Sequence, residues 1–170
     1  MPVPEEILER ILELACVSYT PGATNVLLVC RTFERIALPF LYSSLVLRSR
    51  SQADKLAATL TKRPELSQCA RALHVDSPAL GHAFSAIVDA MQTRYRPLDV
   101  LDIKLDSARG EDIEQDALDH FSRALRRCPD ARTLVVRKSG YLTHDKTVRA
   151  VADLASGIRM CSSVVCGVLL

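Results

Sequence analysis

The chain has 170 residues, and 48% of them are apolar, which is enough for a hydrophobic core and excludes a chain dominated by disorder. Its 22 Lys and Arg nearly balance its 20 Asp and Glu, and both signs are interleaved along the sequence. Basic pairs such as Arg126 and Arg127 have no interleaved aromatic residues on which bases stack, and Trp is absent. We therefore expect no nucleic-acid partner.

The spacing of the cysteines and histidines predicts neither a zinc site nor a bound cofactor. There is no Cys-x-x-Cys pair, and the histidines are far apart in sequence and not at ligand spacing with any cysteine. We interpret the scattered cysteines as small buried hydrophobes in a reducing compartment. The residues concerned are Cys16, Cys30, Cys69, Cys128, Cys161, Cys166, His74, His82, His120 and His144.

The two ends of the chain predict neither a signal peptide nor a membrane span, and with the reducing compartment inferred from the cysteines we expect a cytoplasmic or nuclear protein with no membrane partner. The N-terminus carries Pro4, Glu5 and Glu6 where a signal peptide has basic residues followed by an apolar run. The apolar tail at residues 164–170 is too short to cross a bilayer.

The first predicted element is an amphipathic helix over residues 4–15. Pro4 suits the first helical position, because the N–H that it lacks has no intrahelical partner there. Glu5 and Glu6 place negative charge at the positive end of the helix dipole. The apolar face must pack against a neighbouring helix or a partner, and it consists of Ile7, Leu8, Ile11, Leu12 and Ala15.

A second helix is predicted to begin near Thr24 or Asn25, after the break at Pro21-Gly22, and to end before Pro39. Residues 38–42 then start a third short helix or turn. These elements form a three-helix unit whose small core benefits from docking onto another element. The apolar face of the second helix consists of Val26, Val29, Cys30, Phe33, Ile36 and Ala37.

Four short strands follow, and they share a frame of one apolar residue, a leucine three positions later and a second apolar residue two positions after that. The central leucines are 28, 28 and 33 positions apart. Units of one strand and one helix at about 20 to 29 residues are typical of leucine-rich repeats, although the third interval is longer. The frames are Tyr42, Leu45, Leu47; Ala70, Leu73, Val75; Leu98, Leu101, Ile103; and Ala131, Leu134, Val136.

A helix is predicted after each strand. Ser51 and Asp54 form a capping box for the first, whose inward face is Leu56, Ala57 and Leu60. The next two inward faces are Ala83, Ile87, Ala90 and Met91, and then Ile113, Ala117, Leu118, Phe121, Ala124, Leu125 and Cys128.

Thr143 is a predicted cap for a last helix over residues 143–156, and the repeat spacing predicts a fifth strand at residues 162–167. A solenoid that ends there has no polar cap, so we hypothesise that the natural protein is longer or that the C-terminus is truncated.

The repeats depart from the usual pattern at one position. Many leucine-rich repeats place an inward asparagine after the strand, whereas this chain has Arg50, Pro78, Asp106 and Ser139. The solenoid is therefore irregular. An ordinary mixed domain, with alternating helices and parallel strands but without solenoid geometry, remains the alternative fold.

Two separated motifs of the N-terminal unit occur together in a known family. Val3-Pro4, Glu6-Ile7-Leu8 and Ile11-Leu12 match its opening leucine-proline and its two apolar pairs, and Leu28-Val29-Cys30-Arg31-Thr32-Phe33 matches its second helix. On these residues the unit resembles an F-box. Val3 replaces the family's leucine, and Phe33 stands where tryptophan is common. Residues 38–45 also resemble the end of F-box-like domains that precede leucine-rich repeats.

The resemblance implies an α/β protein with a three-helix F-box over residues 1–47 and a short leucine-rich-repeat-like, substrate-binding solenoid over residues 48–170. An F-box binds a Skp-type adaptor and, through it, a cullin, so the chain would recruit a protein substrate to a ubiquitin ligase. The implied adaptor-binding residues are Pro4, Ile7, Leu8, Ile11, Leu12, Cys30, Phe33, Leu38 and Leu41. If the solenoid forms, the residues that face a substrate are His74, Asp102, Lys104 and Arg137.

Two alternatives remain open. Several of the implied adaptor-binding residues, above all Ile11, Cys30 and Phe33, would instead fill the core of the unit itself. The protein would alternatively be a repeat scaffold for protein–protein interaction without a role in ubiquitin transfer. An enzyme is not expected, because the sequence has no Gly-rich phosphate loop, no Gly-x-Ser-x-Gly elbow and no His and Cys at a recognisable spacing.

Overall fold

The computed structural model describes residues 3–17, 23–92, 96–104, 115–128, 130–139 and 163–169. It has a mixed α/β fold, in which an N-terminal helical unit precedes a five-stranded parallel sheet. The α/β class predicted from the sequence is confirmed. None of the helices in the described ranges is long and apolar enough to span a membrane.

The helical unit consists of α1 (Glu5–Val17), a 3₁₀ helix (Ala23–Leu28) and α2 (Arg31–Leu41). α1 begins directly after Pro4, whose carbonyl oxygen accepts hydrogen bonds from the N–H groups of Ile7 and Leu8. The unit has an apolar cluster of its own, made of Leu12, Cys16, Ile36 and Ala37, with Leu8, Val26, Leu27, Phe33, Phe40 and Leu41 packed against it.

The prediction of one continuous second helix is wrong. The 3₁₀ helix ends at Leu28, and α2 begins after Cys30, whose backbone is extended with φ −166° and ψ 168°. This interruption breaks the helical phase, so Val29 and Cys30 are exposed instead of lying on the inward stripe. The 3₁₀ helix places the adjacent residues Val26 and Leu27 against the apolar cluster instead.

The predicted end of this helix before Pro39 is also wrong, because Pro39 lies inside the last turn of α2. Proline in a helix interior removes a hydrogen bond and crowds the preceding turn. Here the helix continues for two more residues, Phe40 and Leu41, and both pack against the cluster of the unit. The N–H of Tyr42 then closes the helix on the carbonyl oxygen of Leu38. Burial of these large side chains offsets the local penalty.

The sheet contains β1 (Ser44–Leu47), β2 (Ala72–Val75), β3 (Leu98–Lys104), β4 (Ala131–Ser139) and β5 (Ser163–Leu169). All neighbouring strands are parallel, and their order in space follows their order in the chain. Across the first four strands the central leucines are register partners, and Val164 occupies the same position on β5. The predicted strand frames and the fifth strand are confirmed.

Three helices, α3 (Arg50–Lys62), α4 (Gly81–Met91) and α5 (Gln115–Arg126), pack on the leucine face of the sheet. Their inward faces largely match the prediction, and they bury Leu60, Phe84 and Phe121 completely. The predicted capping box at Ser51 and Asp54 is wrong. The N-cap of α3 is Ser49, whose side chain accepts a hydrogen bond from the Gln52 N–H, and Ser51 lies within the first turn. The predicted helix over residues 143–156 lies outside the described residues, as does Ile113.

The helical unit and the sheet are joined directly. Only Tyr42 and Ser43 separate α2 from β1, and Leu38 and Tyr42 pack against the core of the sheet. The carbonyl oxygen of Ser43 accepts hydrogen bonds from the N–H groups of Arg71 and Ala72 at 2.6 and 2.9 Å. The last turn of α2 therefore continues into the sheet without a linker.

Candidate protein-docking surfaces

α1 carries an apolar ridge on its exposed side. Ile7, Ile11 and Leu14 are spaced four and three residues apart, which places them on one helical face, and they are 54%, 55% and 59% exposed. Val3 lies just before the helix and is 61% exposed. We call these four residues the α1 ridge. The opposite side of α1 holds Leu12 in the core, so the helix is apolar on two sides.

A second exposed apolar pair, Leu28 and Val29, lies at the interruption between the 3₁₀ helix and α2. Among the residues whose side-chain exposure the structure describes, which are 3–16, 24–92, 96–104, 116–128 and 130–137, the large apolar side chains that are exposed belong to the α1 ridge or to this pair. Exposed apolar side chains that are confined to one part of a molecule mark an interaction site more often than scattered ones do.

The structure divides the predicted adaptor-binding residues by exposure. Leu12 is buried, so it is a core residue and is not available to a partner. Leu8, Phe33 and Leu41 are partly buried against the cluster of the helical unit, and Leu38 is partly buried against the core of the sheet. The residues that remain exposed are Pro4, Ile7, Ile11 and Cys30.

The alternative that Ile11, Cys30 and Phe33 fill the core of the helical unit holds only for Phe33. Ile11 faces solvent because the stripe Leu8, Leu12 and Cys16 supplies the inward side of α1. Leu14 is a further exposed residue of this face, which the sequence-based prediction does not include. Leu14 lies three residues after Ile11, and this spacing places the two side chains on the same face of a helix.

The face of the sheet opposite α3, α4 and α5 carries polar side chains. His74 and Asp102 are register partners on β2 and β3, and the Nδ1 atom of His74 lies 3.0 Å from Oδ2 of Asp102. Arg137 on β4 donates from Nε to Oδ1 of Asp102 at 2.8 Å. Lys104 pairs in register with Arg137 and is half-buried. The four predicted substrate-facing residues therefore lie together on three adjacent strands.

The ionic contacts continue across this face toward β1. Nη2 of Arg137 lies 3.6 Å from Oδ1 of Asp76, and Oδ2 of Asp76 lies 3.8 Å from Nε of Arg48. Asp76 and Arg48 were missed in the sequence, although each follows the end of its strand by one residue and continues the outward alternation. The result is a sheet face with alternating charges, which we call the polar sheet face.

A groove of about 660 Å³ separates the helical unit from the N-terminal ends of the strands. Glu13 and Phe40 line it on the helical side, and Arg71, Asp99 and Arg132 line it on the sheet side. Arg132 pairs with Asp99 at 3.2 Å, so part of the positive charge that lines the groove is already compensated within the chain.

The fold also brings together residues that the sequence keeps far apart. His82 on α4 lies beside Asp116 and His120 on α5, although the spacing of these residues in the sequence predicts no metal site. The only local signal was the spacing of Asp116 and His120, which are four residues apart on one helix.

Comparison with known proteins assigns the chain to no family. No protein-family model matches the chain, and neither a curated protein nor a solved structure matches it significantly. The resemblance to an F-box therefore rests on the residues quoted above.

Proposed function

We propose that this protein is a substrate-recruiting subunit of a Skp-cullin-F-box ubiquitin ligase. In this proposal the α1 ridge and the Leu28 and Val29 pair bind a Skp-type adaptor, and the polar sheet face binds the protein that is to be ubiquitylated. The observation that carries the proposal is that the exposed large apolar side chains lie at positions 3–29, among the residues outside β5 whose side-chain exposure the structure describes. These positions contain the first part of the F-box-like motif and the first two residues of its second part, Leu28 and Val29.

The exposed ridge has a clear physical interpretation in this proposal. Burying a Leu or Ile side chain contributes about 1.5–3 kcal/mol, so leaving three such side chains of one helix face in water forgoes a large stabilisation. The unit has a core of its own on the other side of α1, so the ridge is not needed for folding. An adaptor helix that covers the ridge would recover that stabilisation.

The architecture of the sheet supports a repeat solenoid. Parallel sheets of ordinary α/β proteins have helices on both faces, whereas α3, α4 and α5 all pack on one face here. The strands also add one after another, in chain order and in one register. This arrangement is typical of stacked strand–helix repeats, whose open faces bind partners. We therefore favour the leucine-rich-repeat-like interpretation over the ordinary mixed domain.

The polar sheet face is suited to a polar segment of a protein partner. Its charges alternate from Arg48 through Asp76 and Arg137 to Asp102, so no single sign dominates. Groups that are already paired hold defined positions, which reduces the ordering cost when a partner exchanges contacts with them. The proposal requires no catalytic residue in this chain, because the subunit acts by raising the local concentration of substrate near the ligase.

Co-purification with a Skp-type adaptor tests the proposal. Ile11→Asp and Leu14→Asp introduce charge on the α1 ridge, where the native side chains are more than half exposed, so both variants are expected to fold. Each is expected to lose binding, because a carboxylate would be buried without a partner in the complex. Leu12→Asp is unsuitable, since Leu12 is buried and the variant would unfold.

The matched control is Ala58→Asp, which adds the same charge at an exposed position of α3. It is expected to bind the adaptor as the wild type does. Failure of the wild type to co-purify, where an established F-box protein succeeds, would reject the ligase function. The repeat scaffold without a ubiquitin role would then remain, provided that a protein partner still binds the polar sheet face.

A further inference from the structure

Three side chains of types that can bind a metal ion lie together where α4 meets α5. His82 lies in the first turn of α4, and Asp116 and His120 lie on the first half of α5. Nε2 of His82 is 3.2 Å from Oδ2 of Asp116, and Nε2 of His120 is 3.8 Å from Oδ1 of the same carboxylate. The two imidazole rings have centroids 4.2 Å apart. Each histidine therefore points the same ring nitrogen at one carboxylate.

The backbone beneath these side chains explains why they approach so closely. Gly81 precedes His82, and a Cβ atom at residue 81 would overlap the carbonyl oxygen of Ala117. The absence of a side chain thus lets the start of α4 contact the backbone of α5, directly after Asp116. Phe84 and Phe121 stack in the core below, with ring centroids 5.0 Å apart. The candidate ligands project from two helices that are fixed against each other, which is the support that a metal site needs.

We propose that His82, Asp116 and His120 bind one zinc ion, which links α4 to α5. The ligand atoms of the three residues all lie within 4.8 Å of one another, so small side-chain rotations bring them into a single coordination sphere. Two imidazole nitrogens and one carboxylate oxygen are ligands that zinc accepts in a tetrahedral arrangement, with water in the fourth position. His82 and Asp116 are exposed, so the ion has access from solvent.

The chemistry of the three side chains fits zinc better than calcium or magnesium. Those cations select oxygen ligands, whereas two of the three ligands here are imidazoles. Each histidine coordinates as the neutral ring through Nε2, and the Asp116 carboxylate offsets part of the charge of the ion. Because the ligands are 34 or more residues apart between α4 and α5, the bound ion cross-links two successive strand–helix units.

The test is zinc titration of the full chain, followed by NMR of the imidazole nitrogens. Zinc is expected to shift the Nε2 signals of His82 and His120 together at one equivalent and to leave those of His74 unchanged. His120→Gln and Asp116→Ala are each expected to weaken the site by at least about tenfold, since even an outer-shell change at a metal site costs that much. His74→Gln is the matched control, and it is expected to keep the wild-type affinity.

Free cysteines also bind zinc, and Cys30 is exposed, so the affinity is read from the histidine signals and not from total zinc uptake. The proposal also predicts that zinc raises the Tm of the wild type more than the Tm of His120→Gln. The absence of any shift at His82 and His120 with millimolar zinc would overturn it. Equal affinity of the wild type and His120→Gln would overturn it as well.

Discussion

The imidazole of His74 on β2 and the carboxylate of Asp102 on β3 occupy paired positions in the sheet, with His74 Nδ1 3.0 Å from Asp102 Oδ2. The second oxygen of Asp102 accepts a hydrogen bond from Nε of Arg137 on β4. One carboxylate on β3 thus contacts polar groups from both neighbouring strands, β2 and β4, and its side chain is only 13% exposed.

Asp102→Ala is therefore expected to lower the free energy of unfolding by about 1–3 kcal/mol, because Arg137 and His74 lose a common partner in a partly buried site. Urea denaturation followed by circular dichroism measures the loss. Asp99→Ala is the control on the same strand, since its pair with Arg132 is exposed at 48% and 66% and contributes about 0–1 kcal/mol. Equal losses of unfolding free energy in Asp102→Ala and Asp99→Ala would contradict a stabilising role for the contacts of Asp102 with His74 and Arg137.

Leu101 is the central leucine of β3 and has register partners on both sides, Leu73 and Leu134. It is fully buried, so Leu101→Ala is expected to cost about 2–5 kcal/mol of unfolding free energy by removing packing and leaving a cavity. Leu14→Ala removes the same atoms from the exposed α1 ridge and should change stability by no more than about 0.5 kcal/mol. Chemical denaturation of both variants tests whether the leucine row forms the core.

Gly81→Ala separates helix propensity from packing. Alanine is more favourable than glycine in a helix by about 1 kcal/mol, so propensity alone predicts a gain. The new Cβ would overlap the Ala117 carbonyl oxygen and lie 2.9 Å from the Phe121 nitrogen, which predicts a net loss of about 1–3 kcal/mol. Thermal unfolding shows whether Gly81→Ala raises or lowers stability. Ala86→Ser, at an exposed position of α4, is the control. A raised Tm for Gly81→Ala would refute the close contact of α4 and α5.

The thiols of Cys16 and Cys30 are expected to react at different rates. Burial raises the pKa of the Cys16 thiol, and only 7% of the residue is exposed, whereas Cys30 is exposed. Because the thiolate is the reactive species, iodoacetamide should modify Cys30 in the folded protein and Cys16 only after the helical unit opens. Peptide mass mapping after a short reaction measures both sites. Equal modification would show that α1 does not pack as described.

The same raised pKa gives a dependence of stability on pH. Cys16 stays protonated in the fold at pH values where the unfolded thiol ionises, so the unfolded state binds fewer protons and stability falls as the pH rises into the alkaline range. Cys16→Ala is expected to reduce the slope of unfolding free energy against pH. Urea denaturation over an alkaline pH series compares the two proteins, and an unchanged slope would assign the effect to other groups.

The sheet was the most predictable part of the fold. Each strand combines a central leucine with alternating apolar residues, and a slip by one position would turn Leu73 or Leu101 to the solvent face. Hydrophobic burial therefore fixes the register that the intervals between leucines indicate. The same alternation correctly grouped His74, Asp102 and Arg137 on the other face.

The helical unit was less predictable. The apolar residues of the predicted second helix fit one long helical stripe. The interruption at Val29 and Cys30 depends on tertiary packing, which the spacing of apolar residues alone does not predict. α1 has apolar residues on two sides, and the sequence does not tell which side is buried. The proposed zinc ligands could not be found from the sequence for another reason, because His82 meets His120 only through the approach of two helices at Gly81.

The direct passage from α2 into β1 has a geometric consequence. Only Tyr42 and Ser43 lie between these elements, and Leu38 and Tyr42 pack against the core of the sheet, so the connection is short and is held by contacts on its helical side. A molecule held on the α1 ridge and another held on the polar sheet face would keep a fixed distance and angle to each other. The α1 ridge and the polar sheet face would then be held in a fixed relative orientation. Inserting flexible residues after Tyr42 would remove that fixed orientation and leave each of the two surfaces intact.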